Sequence, residues 1–307
     1  MMELDEIEKD LLKQVANINS IPEGAYNYSV NGKSIGKNST PNIDVESKTD
    51  KSGLDITIKS GTKRDVVHIP VIITKSGHQE TVYNDFYIGD NSEITIVAGC
   101  GIYNCGAKSS IHDGIHVFHV GKNCKVKYIE KHYGTGPSAG KILNPTTELY
   151  LDKNSYVELE LEQIAGVDST NRLTKAKLQE NAKINIIEKL LTHGRQVAKS
   201  NIKVDLNGKN STADIVSRSV ARDISKQDFK LHITGKTVCR GHSECDAIIT
   251  DNARVTAIPS LNAESLDAEL VHEAAIGKIA GTEINKLMTL GLTEKEAEAK
   301  IINGFLK

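Results

Sequence analysis

Gly121-Lys-Asn-Cys-Lys-Val-Lys-Tyr-Ile129 reads as a tight turn that opens a β-strand. Asn tolerates the positive φ a tight turn demands, and the residues after it alternate between polar and apolar, as a half-buried strand requires. The same phrase returns as GDNSEITIV (Gly89 to Val97), DKNSYVELEL (Asp152 to Leu161), ENAKINII (Glu180 to Ile187), GKNSTADIV (Gly208 to Val216) and DNARVTAI (Asp251 to Ile258). Most neighbours lie roughly 26 to 33 residues apart, with a second strand-like stretch between them. One such unit is a coil of β-strands. A single coil cannot bury its inner face, so successive coils must stack with parallel pairing between rungs, which makes a β-solenoid. A β-sandwich is the alternative with similar turn spacing, but the strands do not read as hairpins and one turn phrase recurs.

The composition suits thin stacked layers. Aromatic residues make up 4% of the 307 residues and Trp is absent, so Ile, Val, Leu and Ala must fill the core. Lys+Arg 38 against Asp+Glu 40 leave a net charge of −2, which gives no basic field for nucleic acid. The start, MMELDEIEKDLLKQVANI, has no basic segment followed by an apolar one. No later apolar run approaches the roughly 20 residues that span a bilayer, so a cytoplasmic protein without a membrane anchor is expected. Five cysteines in such a chain are too few, and in the wrong compartment, for a disulfide framework.

The two ends differ from the middle. Residues Glu3 to Ile18 carry Leu4, Ile7, Leu11, Leu12, Val15 and Ile18 at helical spacing. Near the other end Thr282 is placed to cap a helix Glu283 to Leu290 that stops at Gly291. Thr293 and Glu296 form a capping-box pattern before a last helix to Leu306. The division expected is a helical segment 1–30, a β-solenoid core 31–278 and a helical hairpin 279–307. The hairpin carries more apolar surface than a solvated tail; it either covers the open end of the solenoid or binds a partner.

No Walker A loop, GxGxxG, GxSxG elbow or HExxH helix occurs, so energy from ATP would have to come from another chain. Cys100 and Cys105, with Cys124 beyond, lack further ligands at a recognised metal spacing and read as structural. His112 and His116, followed by His119 and His132, share a face by strand alternation but read first as hydrogen-bonded structural histidines in a turn. The richest constellation is Cys239-Arg-Gly-His242-Ser-Glu244-Cys245-Asp246, with Leu270-Val271-His272-Glu273 about one solenoid turn later. Stacking would bring Cys245 and Glu273 to one edge, with His272 as an imidazole donor and Cys239 or Glu244 alongside. Sulfur, nitrogen and oxygen donors around one surface suit a transient iron or iron–sulfur site better than a closed zinc site.

The stretches VAGCGIYNCGAKSSIHDGIHVFHVGKN, KHYGTGPSAGKILNPTTELYL, QIAGVDSTNR, THGRQVAKS and VSRSVARD, and above all residues 241–307 with His-Glu-Ala-Ala-Ile-Gly-Lys-Ile, resemble the SufB/SufD family. The likeness runs from about Val97 onward and is greatest to short SufB-type proteins of minimal iron–sulfur assembly systems. It implies a right-handed parallel β-helix, a homodimer through that core and SufC-type ABC ATPase subunits at the C-terminal helices. It further implies a scaffold rather than an enzyme, with a transient cluster, 4Fe-4S by expectation, passed to acceptor proteins. The family's cluster-holding positions fall on Cys245, His272 and Glu273, with Cys239 and Glu244 as additional candidates and Cys245 and Glu273 as the metal ligands. A sulfur-accepting cysteine common in larger members is missing from Leu173 to Gln179, which makes free sulfide a reasonable donor. Two rivals are a SufD-like partner that holds no cluster of its own and a polysaccharide-acting solenoid, the latter disfavoured by few aromatics.

Overall fold

The computed structural model describes residues 4–17 and 24–307. Among the described residues, helix α1 (Glu6–Ala16) precedes twenty strands, and α2 (Gly281–Met288) and α3 (Glu294–Phe305) follow them. The first sheet holds β1 (Ala25–Val30), β2 (Lys33–Asn38), β5 (Lys63–Ile73), β7 (Glu93–Tyr103), β9 (Lys125–Thr135), β12 (Tyr156–Ala165), β14 (Lys183–Thr192), β16 (Ser211–Ala221), β18 (Cys239–Ile249) and β20 (Ala268–Gly277). The second holds β3 (Ile43–Ser47), β4 (Gly53–Ile58), β6 (Gln79–Ile88), β8 (Ser110–Val120), β10 (Lys141–Leu143), β11 (Thr146–Leu151), β13 (Ser169–Leu178), β15 (Val197–Leu206), β17 (Lys226–Gly235) and β19 (Arg254–Ala263).

From β5 onward consecutive strands fall in opposite sheets, save that β10 and β11 together make one rung. Each pairs in parallel with the strand one coil later, as β14 does with β16 and β16 with β18. The β-solenoid is therefore borne out and the sandwich excluded. Antiparallel pairing is confined, among the described residues, to β1 with β2 and β3 with β4 at the N-terminal end. The first sheet already starts at Ala25, inside the segment expected to be helical, and Glu3 and Ile18 of the expected helix lie outside the described residues.

The turn phrase does what its Asn promises. Asn91, Asn123, Asn154, Asn181 and Asn210 all adopt positive φ. Their side chains form a ladder in which each amide donates to the one before it, at 3.1, 3.1, 3.0 and 3.2 Å. DNARV does not belong to that ladder. Its Asp251 is the positive-φ residue of the opposite corner, beneath Asp223, and opens β19 in the second sheet. Two corners use the same turn chemistry, so one phrase marks both.

Ile, Val and Leu fill most of the interior, with Phe86 stacked on Phe118 at 4.4 Å and Tyr128 edge-on to the latter. Helix α1 lies on the outer face of β7 through Leu11, Leu12 and Val15. Gly99 permits that approach, because a Cβ there would stand 2.6 Å from the Val15 carbonyl oxygen. Asp5 and Glu8 close a capping box on α1, and Thr293 and Glu296 do so on α3. Thr282 is not a cap: α2 starts at Gly281, with Ala280 in the N-cap position and no side-chain bond. Gly291 does take positive φ just beyond α2.

Candidate functional site

The last rungs gather the polar residues singled out above. β18 and β20 pair in register, with Cys239 opposite Ala268, Ser243 opposite His272, Glu244 opposite Glu273 and Cys245 opposite Ala274. Strand alternation then sorts them. Cys239, Ser243 and Cys245 point inward with His272, whereas Glu244 and Glu273 point outward side by side. Within one chain Cys245 and Glu273 therefore lie on opposite faces of the sheet and do not meet. The register partner of Cys245 is Ala274, one residue past Glu273, and a one-residue offset reverses the face.

Burial pushes the Cys245 thiol up to about 12, and the nearby Glu188 and Asp246 carboxylates add to it. Burial also raises the Cys239 thiol. The imidazole of His272 is lowered by partial burial and by His242, and its Nδ1 lies 2.8 Å from Ser243 Oγ. On the outer face a hydrogen bond that the neutral Glu244 carboxyl donates to Asp246 is the main cause raising it, with partial burial adding. His242 Nδ1 pairs with Asp214 at 2.7 Å, and Asp246 accepts from the Ala275 amide at 3.2 Å. Among the described residues no three such donors converge on one point as a ready metal site. One chain thus offers two half-sets, a thiol with an imidazole inside and a carboxylate pair outside.

Both half-sets stand at an open end. β19 and β20 are the edges of their sheets. Ile258, Leu261, Val271 and Ile276 on them are exposed, as is Leu266 between them. The C-terminal hairpin does not cover them. α3 buries Ala297 and Ile302 and is tied to the solenoid wall by Arg222 with Glu298 at 3.3 Å and by Lys189 Nζ to the Lys307 carbonyl at 2.8 Å. α2 buries no residue, and Met288 and Leu290 are exposed.

The family described as SUF system FeS cluster assembly, SufBD core domain, matches residues 72–305. The chain belongs to the SufBD family. An iron–sulfur cluster assembly SufBD family protein of Methanocaldococcus jannaschii is 30% identical over 257 residues, covering 82% of this chain and 79% of that protein. One from Pyrococcus horikoshii is 30% identical over 288 residues, 89% of this chain and 84% of the relative. A homologue from Methanothermobacter thermautotrophicus is 29% identical over 230 residues, 74% of this chain, which spans only 55% of its length. SufBD membership joins the chain to iron–sulfur cluster assembly. No helix among the described residues is long and apolar enough to cross a membrane.

The sequence reading missed the charged interior of this SufBD solenoid. Glu130, Arg172 and Glu188 are buried, with Arg172 Nη1 at 2.6 Å from Glu130 and its Nε at 3.6 Å from Glu188. Glu188 also accepts from Ser200 at 2.8 Å and Ser217 at 3.1 Å, and Ser217 is the register neighbour of Cys245. Burial pushes the Glu130 carboxyl up, but Arg172, His132 and His116 outweigh it and hold the group well below the usual carboxylate range. One signal was available. In KINIIEKLLT, Glu188 falls in phase with Ile184, Ile186 and Leu190, at an inward position where a charge needs a partner. His112 and His116 also lie inward, mid-strand in β8 and not in a turn, while His119 stacks outside between Tyr87 and Tyr150.

Proposed function

We propose that this SufBD chain is a SufB-type scaffold that assembles a nascent iron–sulfur cluster, of the 4Fe-4S type, at a homodimer interface formed by the open end of its solenoid. The observation that carries the reading is the position of Cys245. It is one strand from an uncovered sheet edge and on the same face as His272, which is on the edge strand itself. Exposed Ile258, Val271 and Ile276 around that edge supply apolar surface for a second copy. A two-fold axis there sets two copies of the thiol, imidazole and carboxylate half-sets against each other, so Glu273 of one chain serves the inner half-set of the other. Cys239 and Glu244 are further ligands at the same end.

Burial holds Cys245 as the neutral thiol at rest, so metal binding there releases its proton. A SufC-type ABC ATPase bound at α2 and α3 supplies the opening: ATP binding shifts the helices, and α3 is tied to the wall at Arg222 and Lys189 in β14, the strand that carries Glu188. Hydrolysis is the partner's work, and the scaffold itself is not an enzyme. Mixed thiolate, imidazole and carboxylate ligation releases the cluster to acceptor proteins more readily than four thiolates would. The setting is cytoplasmic.

A SufD-like structural role is the second reading, favoured by the opposite-face placement of Cys245 and Glu273 within a chain. Anaerobic reconstitution of wild type and Cys245→Ser with ferrous iron and sulfide, followed by Mössbauer and visible spectra on the isolated dimers, separates them. A stoichiometric cluster lost in the variant supports the scaffold. Equal uptake in both removes Cys245, and no uptake in either favours the SufD-like role.

A further inference from the structure

A second group of donors lies at the other end of the interior, about a small cavity of about 20 Å³ walled by Cys100, His112, Gly114, His116, Glu130 and His132, among others. That volume holds one water or one ion. The imidazoles are oriented toward it. His112 Nδ1 bonds Glu80 at 2.8 Å, and His116 Nδ1 bonds the Tyr128 hydroxyl at 2.7 Å, which itself donates to Glu130 at 2.6 Å. With the Nδ1 protons so engaged, both Nε2 atoms carry lone pairs, the tautomer a metal ligand needs; that of His116 accepts a long bond of 3.4 Å from the Asn84 amide, which a metal would displace. Both also aim at one spot. A Cβ on Gly114 would meet His112 Nε2 at 3.1 Å and His116 Nε2 at 3.4 Å, so the missing side chain leaves that space free. His132 is not available, its Nδ1 taking a bond from Arg172 and its Nε2 resting against Glu130.

The electrostatics point the same way independently. Glu130 and Glu188 are buried and share a single guanidinium, Arg172, so one carboxylate charge there is in excess. Uncompensated carboxylates in an interior are costly, and a cation relieves them.

We propose that this cavity binds one borderline divalent transition-metal ion, with Cys100 Sγ, His112 Nε2 and His116 Nε2 as ligands and Glu80 and Tyr128 orienting the two imidazoles. Among the described residues no three donors stand at ligating distance about one point, so binding draws the two rings across Gly114 toward Cys100. The Cys100 S–H proton is released to solvent as the metal–sulfur bond forms, one per ion. One thiolate with two imidazoles selects zinc, ferrous iron or cobalt over magnesium or calcium. Entry is from the N-terminal mouth, a cavity of about 240 Å³ lined by Ser29, Lys48, Glu80 and Asn84 that shares the Ile69 and Val71 wall with the inner one.

Anaerobic titration of the full chain with cobalt(II) tests this. Wild type and Cys245→Ser are both expected to develop a thiolate-to-cobalt charge-transfer band saturating at one ion. Cys100→Ser is expected to lose that band. Glu80→Gln should bind about 10–100-fold more weakly, as loss of an orienting partner does, and Gly114→Ala should also bind more weakly because the added Cβ fills the cradle. Thermal unfolding of each variant without metal checks that it folds; if Cys100→Ser does not, Gly114→Ala and Glu80→Gln decide. No band in wild type, a band that survives Cys100→Ser, or one that is lost in Cys245→Ser overturns the site. The band in Cys245→Ser separates this result from any failure of the proposed cluster interface.

Discussion

Ser243 Oγ and His272 Nδ1 lie 2.8 Å apart across the last strand pair of the first sheet, inside the solenoid and one strand from solvent. A serine that accepts the Nδ1 proton leaves Nε2 as the free ligand atom, directed away from the pair. If His272 holds iron, Ser243→Ala should weaken anaerobic ferrous binding about 10–100-fold while leaving the fold intact. A calorimetric titration with an unchanged affinity would remove His272 from the ligand set.

The Cys245 thiol, pushed up to about 12 by burial, is held in its neutral form. Iodoacetamide followed by peptide mass spectrometry should label the exposed Cys105 early and Cys245 late, with the Cys245 rate rising with pH. Glu188→Gln removes a negative neighbour, so it should lower the Cys245 pKa and speed labelling at fixed pH. Labelling of Cys245 as fast as Cys105 in wild type would show that burial does not protect it.

What the sequence disclosed follows from what each signal encodes. Turn residues with positive φ and alternating strands are local properties, so the coils, the parallel stacking and the capping box of α3 were legible from Asn123, Asn154, Thr293 and Glu296. Phase between coils is not local. It depends on loop lengths, and β18 to β20 advances 29 residues from Cys245 to Ala274, so a spacing of 28 to Glu273 put the carboxylate on the wrong face. Interior charge was hidden for a related reason: Glu130 and Arg172 are 42 residues apart and are joined only by the fold.

Arg172 holds two buried carboxylates at once, so truncating it leaves both without their guanidinium. Arg172→Ala should cost about 3–5 kcal/mol at pH 7, read as a lower midpoint in urea. The pH dependence has a definite sign. The folded Glu130 carboxyl is depressed, so its contribution is present above the ordinary carboxylate value of about 4.3 and is lost as pH falls through the folded value. In Arg172→Ala the same carboxyl is raised by burial and takes up its proton more readily. The gap between wild type and variant should therefore narrow as pH falls from 7 toward 4, and a gap that widens would mean the pair is not the source of the loss.

Asn154 sits at φ 58 in the middle of the asparagine ladder, donating to Asn123 and accepting from Asn181. Two properties are combined in that residue, tolerance of a left-handed backbone and a side chain that bonds to the coils on either side. Asn154→Gly keeps the first and loses the second, at about 1 kcal/mol for exposed amide bonds. Asn154→Ala loses both, adding about 1–2 kcal/mol for a Cβ forced into the left-handed region. Chemical denaturation should therefore rank wild type above Asn154→Gly and Asn154→Gly above Asn154→Ala. Equal stability of the two variants would assign the preference for Asn to the ladder bonds alone, and Asn154→Ala above Asn154→Gly would contradict the turn chemistry from which the solenoid was read.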